Sequence, residues 1–378
     1  MSINKRAIHK YIRLFWCISR DKVPKIRLQY KFIQFSEMSL PETYVHGFHD
    51  EALVREMPWH PLGNTGMQVS RIALGAGGFS YFYGDYDIEE CKRTIYEAIK
   101  NGVNFIDTAP WYGHGESEKV LGQCLQGIPR EAYYVATKVG RYEKEVAKMF
   151  DFSVERTRRS INESLERLKL NYVDLLQVHD VEFAPSMDVV LNETLPTVKE
   201  IVNSGKAEHI GITGYPVGVL KECIEKSKVP IETVLSYCRS TMIDYTLNEY
   251  LPFFKSKGIG VINAAVNSMG LLTNNGPPGW HPATDSIKDV CKEASDYCKD
   301  RDVELGKLAV YHGLNNSDVV LIGMNNRKLL EYNLDVLKNG INEKEQKVYD
   351  DVLQILAKLP ANSQWENVEL ERFRKPQI

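Results

Sequence analysis

Eight times between positions 72 and 322 the chain passes through a short apolar, β-branched run, and the runs lead toward stretches with helical spacing of apolar residues. The runs lie at 72–75, 103–107, 133–138, 173–178, 209–213, 233–236, 260–263 and 319–322. Up to the seventh run, successive starts are 24 to 40 residues apart, which is room for one strand, one helix and two short connections; the longer last interval leaves space for extra helical material. Runs as continuously apolar as Tyr172-Val-Asp-Leu-Leu-Gln-Val178 suit a parallel sheet covered on its outside by helices. The alternation predicts an α/β fold, and eight copies predict a closed (β/α)8 TIM barrel.

The intervening helices are marked at the residue level. Over 154–168, Val154, Ile161, Leu165 and Leu168 line one face, Asp151 and Ser153 offer capping side chains ahead of it, and Arg156, Arg158 and Arg159 fall on the solvent side. Asn64-Thr65-Gly66 between two short extended pieces predicts an N-terminal β-hairpin ahead of the first barrel strand. Residues 338–357 read as a final helix. The expected organisation is a basic, disordered extension over 1–56, one barrel domain over 57–360 and a loosely held tail over 361–378.

A net charge of -3, with no long basic stripe in the folded part, argues against nucleic acid as a partner. No apolar run approaches the roughly 18 residues of a membrane span, so no membrane association is expected. The seven cysteines are scattered, odd in number and never spaced C-x-x-C. They read as reduced thiols in a cytosol-like compartment, with no disulfide framework and no metal site. The first 36 residues are basic and acid-poor, with Ile8, Ile12, Leu14, Phe15 and Trp16 among Lys5, Arg6, Lys10 and Arg13, a composition equally suited to a mitochondrial presequence and to a plain extension. No heptad seam signals an oligomer, and a monomer is the expectation.

Barrel enzymes carry their chemistry on the loops after the strand C-termini. The second strand ends in Asp107 and leads to Tyr112, the third ends in Lys138, and the fourth ends in His179-Asp180. Gathered at one mouth, these groups make an acid-base device. A nearby ammonium lowers the pKa of a phenol, Asp107 can hold Lys138 in place, and His179 can donate to a substrate oxygen as charge shifts there. A hydride carrier is required in addition, since no side chain accepts or gives a hydride. Singly, each residue has an ordinary structural role open to it, such as helix cap or surface charge; together, in this order, they point to catalysis. Trp111 and His114 flank Tyr112, and Arg141, Tyr142, Asp180 and Trp280 fall on loops over the same mouth, an aromatic and hydrogen-bonding set suited to a sugar ring or another small carbonyl compound.

At these residues the chain resembles the aldo-keto reductase superfamily. The matching pieces are Phe105-Ile-Asp-Thr-Ala-Pro-Trp-Tyr-Gly113, Gly115-Glu-Ser-Glu118, Ala136-Thr-Lys138, Gln177-Val-His179 and Gly211-Ile-Thr213, and the likeness runs from about position 59 to about position 356. Lys138-Val-Gly-Arg-Tyr142, Phe150-Asp-Phe-Ser153, Leu235-Ser-Tyr-Cys238, Met269-Gly-Leu-Leu-Thr273 and Gly276-Pro-Pro-Gly-Trp-His-Pro282 resemble a group within it, the plant-type L-galactose dehydrogenases.

The resemblance implies Asp107, Tyr112, Lys138 and His179 as the catalytic tetrad, and oxidation of an aldose C1 hydroxyl to the lactone with NAD as acceptor. It implies cofactor contacts at Thr213, Ser236, Asn263, Gly270, Leu271, Gly323, Asn325, Arg327 and Asn333. Thr213-Gly214, Ser236 and Asn263 depart from the Ser-Asn, Gln and aromatic residues that many relatives carry there. A helix N-terminus after the eighth strand suits phosphate. Arg327 and Lys328 in its first turn suit the 2'-phosphate of NADP as readily as they suit an exposed surface pair, so NAD and NADP both stay open. The competing functions are an NADPH-dependent carbonyl or aldehyde reductase and, outside enzymes, a cofactor-sensing regulatory subunit.

Overall fold

Side chains alternate across a β-strand, so a strand buried on both faces is built mostly of apolar residues, and the eight runs have that composition. The computed structural model describes residues 40–81 and 84–374. In it, β1 (Trp59–Pro61) and β2 (Gln68–Ser70) form an antiparallel hairpin. The strands β3 (Ile72–Gly75), β4 (Phe105–Asp107), β5 (Tyr134–Val139), β6 (Val173–Val178), β7 (Ala207–Gly214), β8 (Thr233–Tyr237), β9 (Gly260–Ala264) and β10 (Val319–Gly323) close into one parallel barrel, β10 pairing with both β3 and β9. Helices lie between them, so the chain is the (β/α)8 barrel with an N-terminal hairpin that the sequence predicts. No helix among the described residues is long and apolar enough to cross a membrane.

Register decides which side chains face inward. Ala73, Phe105, Ala136, Leu175, Leu235, Ile262 and Leu321 pack together in the lumen. Their neighbours Ile72, Ile106, Val135, Leu176, Ile212, Val234 and Val320 pack outward against the helices. Burying each Leu, Ile or Phe stabilises the fold by about 1.5–3 kcal/mol relative to exposure, and a strand slipped by one residue would exchange the two sets. The hairpin plugs the lower end: Leu62, Met67 and Val69 join the lumen cluster. Its turn passes so close to β9 that a Cβ on Gly63 would stand 2.2 Å from the Gly260 nitrogen, and φ there is +58°, a double requirement for glycine.

The helix Val154–Leu168 has the expected bounds, with the Ser153 hydroxyl accepting from the Arg156 amide and Ile161, Leu165 and Leu168 buried. Arg156 departs from expectation. Its side chain is only 11% exposed, lying 3.7 Å over the Tyr142 ring and paired with Glu163, because a guanidinium gains more on an aromatic face than in water alone. The helix expected after the eighth strand is Arg327–Asn339, and the final helix expected over 338–357 starts a few residues later, as Glu343–Leu356. They are divided at Gly340, and the second starts at a capping box of Asn342 and Glu345.

Both chain ends fold further than the sequence suggests. Residues 1–39, which carry the basic stretch, lie outside the described residues. The remainder of the expected 1–56 extension, 40–56, is packed: Thr43 accepts from the Asn104 amide at 3.0 Å, the Glu42 carboxylate accepts the Tyr134 hydroxyl, and Val54 on the helix Glu51–Glu56 is 1% exposed. The tail beyond position 360 is likewise anchored. Trp365 stacks on Tyr215 with centroids 5.5 Å apart, and Phe373 on the helix Val368–Arg374 meets Phe150 and Phe183 edge-on. At the C-terminal end, aromatic residues set among polar ones supply the anchor. The cysteines Cys91, Cys124, Cys223, Cys238, Cys291 and Cys298 are free and buried, and Cys17 lies outside the described residues.

Candidate active site

Consecutive strand ends bring the four expected catalytic residues together. Asp107 ends β4, Lys138 is the penultimate residue of β5 and His179 follows β6; the three residues are 1%, 1% and 5% exposed. Lys138 Nζ donates to Asp107 Oδ1 at 2.5 Å, to the Thr108 carbonyl at 2.8 Å and to Tyr112 Oη at 3.3 Å. Tyr112 sits on the turn after β4, which Gly113 allows: a Cβ there would collide with Ser80 at 2.5 Å, and φ is +63°. Ser117 pins the turn, its hydroxyl donating to the Ala76 carbonyl and its amide to the Tyr112 carbonyl. The Tyr112 and His179 rings meet edge to face, with centroids 6.1 Å apart.

The other acid of the quoted motif is structural. Glu118 is fully buried, accepting from Thr137 at 2.6 Å and from Arg167 at 2.7 Å, and so ties the following helix to β5 and to the helix Val154–Leu168.

Electrostatics sharpen the roles and reverse one expectation. Burial raises the Asp107 carboxyl pKa, and Lys138 and Gln177 only partly oppose it. The Tyr112 phenol is raised well above its ordinary value by burial and by the Asp107 and Asp180 carboxylates. Burial, the largest of these causes, outweighs the lowering expected from a nearby ammonium, so the phenol is held as a proton donor. Burial pushes the His179 pKa down to about 3, which makes the ring neutral. A neutral imidazole carries one N–H and can donate it to a substrate oxygen without adding charge.

Asp180 is turned back into the mouth by a left-handed backbone, φ +50°, a strained conformation for a non-glycine residue. Its carboxylate accepts from Arg141 at 2.7 Å and from the Thr213 hydroxyl at 3.2 Å, and stands 3.7 Å from His179 Nε2. Burial raises its pKa, but the Arg141 guanidinium and the Thr213 hydroxyl hydrogen bond bring it below the usual carboxylate range. Arg141 also lies over the Trp111 ring at 4.2 Å, while His114 meets Trp111 edge-on and binds the Tyr142 carbonyl through Nδ1. The four expected substrate residues, Trp111, His114, Arg141 and Asp180, thus form one connected group beside the tetrad.

The cofactor expectations divide. Thr213 faces the mouth, with its hydroxyl committed to Asp180 as donor and acceptor. Ser236 and Asn263 are corrected: register aligns Gly214, Ser236, Asn263 and Val320 on the helix-facing side, one position out of step with Leu235, Tyr237, Ile262 and Ala264 in the lumen. Asn263 there binds the Ser240 carbonyl and the Ser317 hydroxyl, a structural role. Gly270 and Leu271 lie on the loop after β9, with the Leu271 side chain in a buried cluster.

Gly323 ends β10 exposed, Asn325 reaches the Gly78 carbonyl at 3.4 Å, Asn326 caps the helix Arg327–Asn339, and Asn333 is buried on that helix. Arg327 does not reach freely for a phosphate. It bridges Glu90 at 3.2 Å and Glu97 at 3.6 Å, and the Glu90 carboxylate also accepts the Arg327 amide at the helix start.

A nicotinamide dinucleotide fits these residues. The Ser268 hydroxyl on the loop after β9 is buried with no partner among the described residues, and a Cβ on Gly323 would meet nothing within 4 Å. An orphan hydroxyl and open backbone before a helix N-terminus are what a phosphate-bearing ligand requires.

A family model described as "Aldo/keto reductase family" matches residues 71–354. The chain belongs to the aldo/keto reductase family. An L-galactose dehydrogenase of Arabidopsis thaliana is 43% identical over 280 residues, 72% of this chain and 86% of the relative. A D-arabinose 1-dehydrogenase of Saccharomyces cerevisiae is 30% identical over 322 residues, 79% and 93% of the two chains. Among solved structures, aldo-keto reductase AKR11C1 from Bacillus halodurans has the same fold, with a TM-score of 0.63, 24% identity and coverage of 78% of this chain and 96% of that one. The family and its dehydrogenase members make this chain an NAD(P)-dependent oxidoreductase.

Three mouth residues escaped the sequence reading. Gln177 donates to Asp107 Oδ2 at 2.8 Å from inside the barrel. Its signal was a polar residue in an apolar strand, two positions before His179 and therefore on the same face. Tyr237 faces the mouth from the end of β8, and Glu182 lies buried below Gly214; neither has a sequence signal apart from strand parity and the loop position.

Proposed function

We propose that the chain oxidises the C1 hydroxyl of an aldose to the lactone with NAD as hydride acceptor, as an L-galactose dehydrogenase does. The observation that carries the reading is the Arg141–Asp180 pair at 2.7 Å, seated on Trp111 and 3.7 Å from His179: a charged, hydrogen-bonding wall backed by an aromatic face, which suits a ring rich in hydroxyls. The 43% identity to an L-galactose dehydrogenase supports the same substrate class.

Asp107, Tyr112, Lys138 and His179 are the catalytic residues in this reading. His179 and Tyr112 Oη hold the substrate oxygen, Tyr112 exchanges the proton at that oxygen, Lys138 at 3.3 Å is the group to which the phenol answers, and Asp107 with Gln177 fixes Lys138. The nicotinamide supplies the hydride chemistry when bound. Thr213, Ser268, Gly270, Gly323 and Asn325 hold the dinucleotide, and Trp111, His114, Arg141 and Asp180 hold the sugar.

Commitment of Arg327 to Glu90 and Glu97 favours NAD over NADP, because a 2'-phosphate would meet the Glu90 carboxylate at the helix start. A second reading, reduction of a small carbonyl compound, draws on the protonated Tyr112 phenol, which is poised to give a proton rather than take one. The test is incubation with L-galactose and each oxidised cofactor, with the product identified. Formation of the lactone with NAD+ supports the proposal; turnover confined to carbonyl reduction with NADPH overturns it.

A further inference from the structure

The C-terminal segment brings two groups to the barrel mouth that the tetrad does not use, the buried Trp365 and the half-buried Glu369. Glu182, Tyr215, Tyr237, Trp365 and Glu369 surround a cavity of about 10 Å3, the room of one water molecule or one hydroxyl group. Trp365, 3% exposed, points an Nε1–H that has no partner among the described residues. Glu182, 9% exposed, has one oxygen on the Tyr215 amide at 2.9 Å, while its other oxygen, Oε2, is buried and without a partner among those residues. On the far side Glu369 accepts from the Tyr237 hydroxyl at 3.5 Å.

An unanswered N–H donor and an unanswered carboxyl oxygen in one small space call for a group that both accepts and donates, which is the description of a hydroxyl. A metal ion would be repelled by the indole N–H, and an anion by the carboxyls. The cavity is continuous in charge with the catalytic centre: Arg141 attracts Glu369 as it attracts Asp180, and Asp180 adjoins His179.

We propose that Trp365 and Glu369 form with Glu182 a subsite for one hydroxyl of a polyhydroxylated substrate, remote from the reacting carbon, and that Glu369 is a specificity-determining residue. This rests on the reading of the active site as aldose-oxidising. It gives the C-terminal segment a part in recognition: a simple aldehyde leaves the subsite to water, whereas a sugar fills it.

The experiment uses the full chain and the variants E369L, E369Q and W365F, the last keeping an aromatic ring while removing the pyrrole half of the indole with its N–H. Steady-state constants are measured for L-galactose oxidation with NAD+ and for propanal reduction with NADH, and thermal unfolding checks that each variant folds. The expected result is a rise of at least tenfold in the sugar KM for W365F and E369L, a matching fall in the ratio of sugar to propanal kcat/KM, and partial recovery in E369Q. A sugar KM within twofold of the wild type in folded W365F overturns the proposal and leaves the cavity as a structural water site, with the aldose reading intact. Wild-type protein that reduces propanal and oxidises no aldose overturns the aldose reading and the subsite with it.

Discussion

Replacing Lys138 by Met tests the buried pair on which the site is built. Lys138 Nζ and Asp107 Oδ1 are 2.5 Å apart and both side chains are 1% exposed, so K138M leaves a carboxylate in the barrel with Gln177 as its remaining side-chain donor. Breaking a buried pair on one side costs about 3–5 kcal/mol. The loss should depend on pH. Burial already raises the Asp107 pKa, and without Lys138 nothing charged opposes that rise. From about pH 4, the unfolded aspartate value, up to the raised native value, the native state then holds a proton that the unfolded state lacks. Stability of the variant therefore falls as pH rises through that window, by up to about 1.4 kcal/mol per unit.

Urea unfolding of wild type, K138M and D107N/K138M at pH 5, 6.5 and 8 measures this. K138M should lose most at pH 8 and recover part of the loss at pH 5, and the double variant should be more stable than K138M at pH 8. A loss below about 1 kcal/mol, or one that pH leaves unchanged, refutes the reasoning.

Four further outcomes follow from the same geometry. His179, held neutral with a pKa of about 3, should show no imidazole titration by NMR between pH 5 and 8, and a midpoint near 6.5 would contradict its burial. W365A should destabilise the fold by about 3–5 kcal/mol in urea, as a buried aromatic does, whereas a loosely held tail would give almost no change. A chain starting at Met57 should unfold earlier than one starting at Leu40, since Thr43 and Val54 pack on the barrel; equal midpoints would return 40–56 to the status of an appendage. Freeing Arg327 with E90Q/E97Q should lower the Kd for NADPH relative to NADH by roughly tenfold, the weight of one favourable phosphate contact, and an unchanged ratio would remove the argument for NAD drawn from this pair.

The barrel was legible because each strand is an apolar run bounded by polar loops, and a strand end is where an Asp, Lys or His has least reason to be unless the mouth uses it. Ser236 and Asn263 show the limit of that method. They stand at strand ends with suitable side chains, yet they fall one residue out of phase with Leu235 and Ile262 and face the helices. Parity counted back from the apolar lumen residues would have separated Gln177 and Tyr237, which face inward, from those two. The anchored ends were harder. The contacts of Thr43 with Asn104 and of Trp365 with Tyr215 join positions far apart in the chain, and no local pattern announces them. The reversal at Tyr112 has the same origin: proximity of an ammonium was foreseeable, whereas the full burial of the phenol, which outweighs it, is set by packing between distant parts of the chain.

The central claim is that Tyr112 exchanges the proton during NAD-linked aldose oxidation. Y112F keeps the ring against His179 and removes only the hydroxyl, which is 3.3 Å from Lys138 Nζ. The rate of cofactor reduction with L-galactose and NAD+ decides the matter. The expected result is turnover by the wild type and a fall of about 10²–10⁴-fold in kcat for a folded Y112F; no turnover by the wild type, or equal rates for the two proteins, would contradict the account.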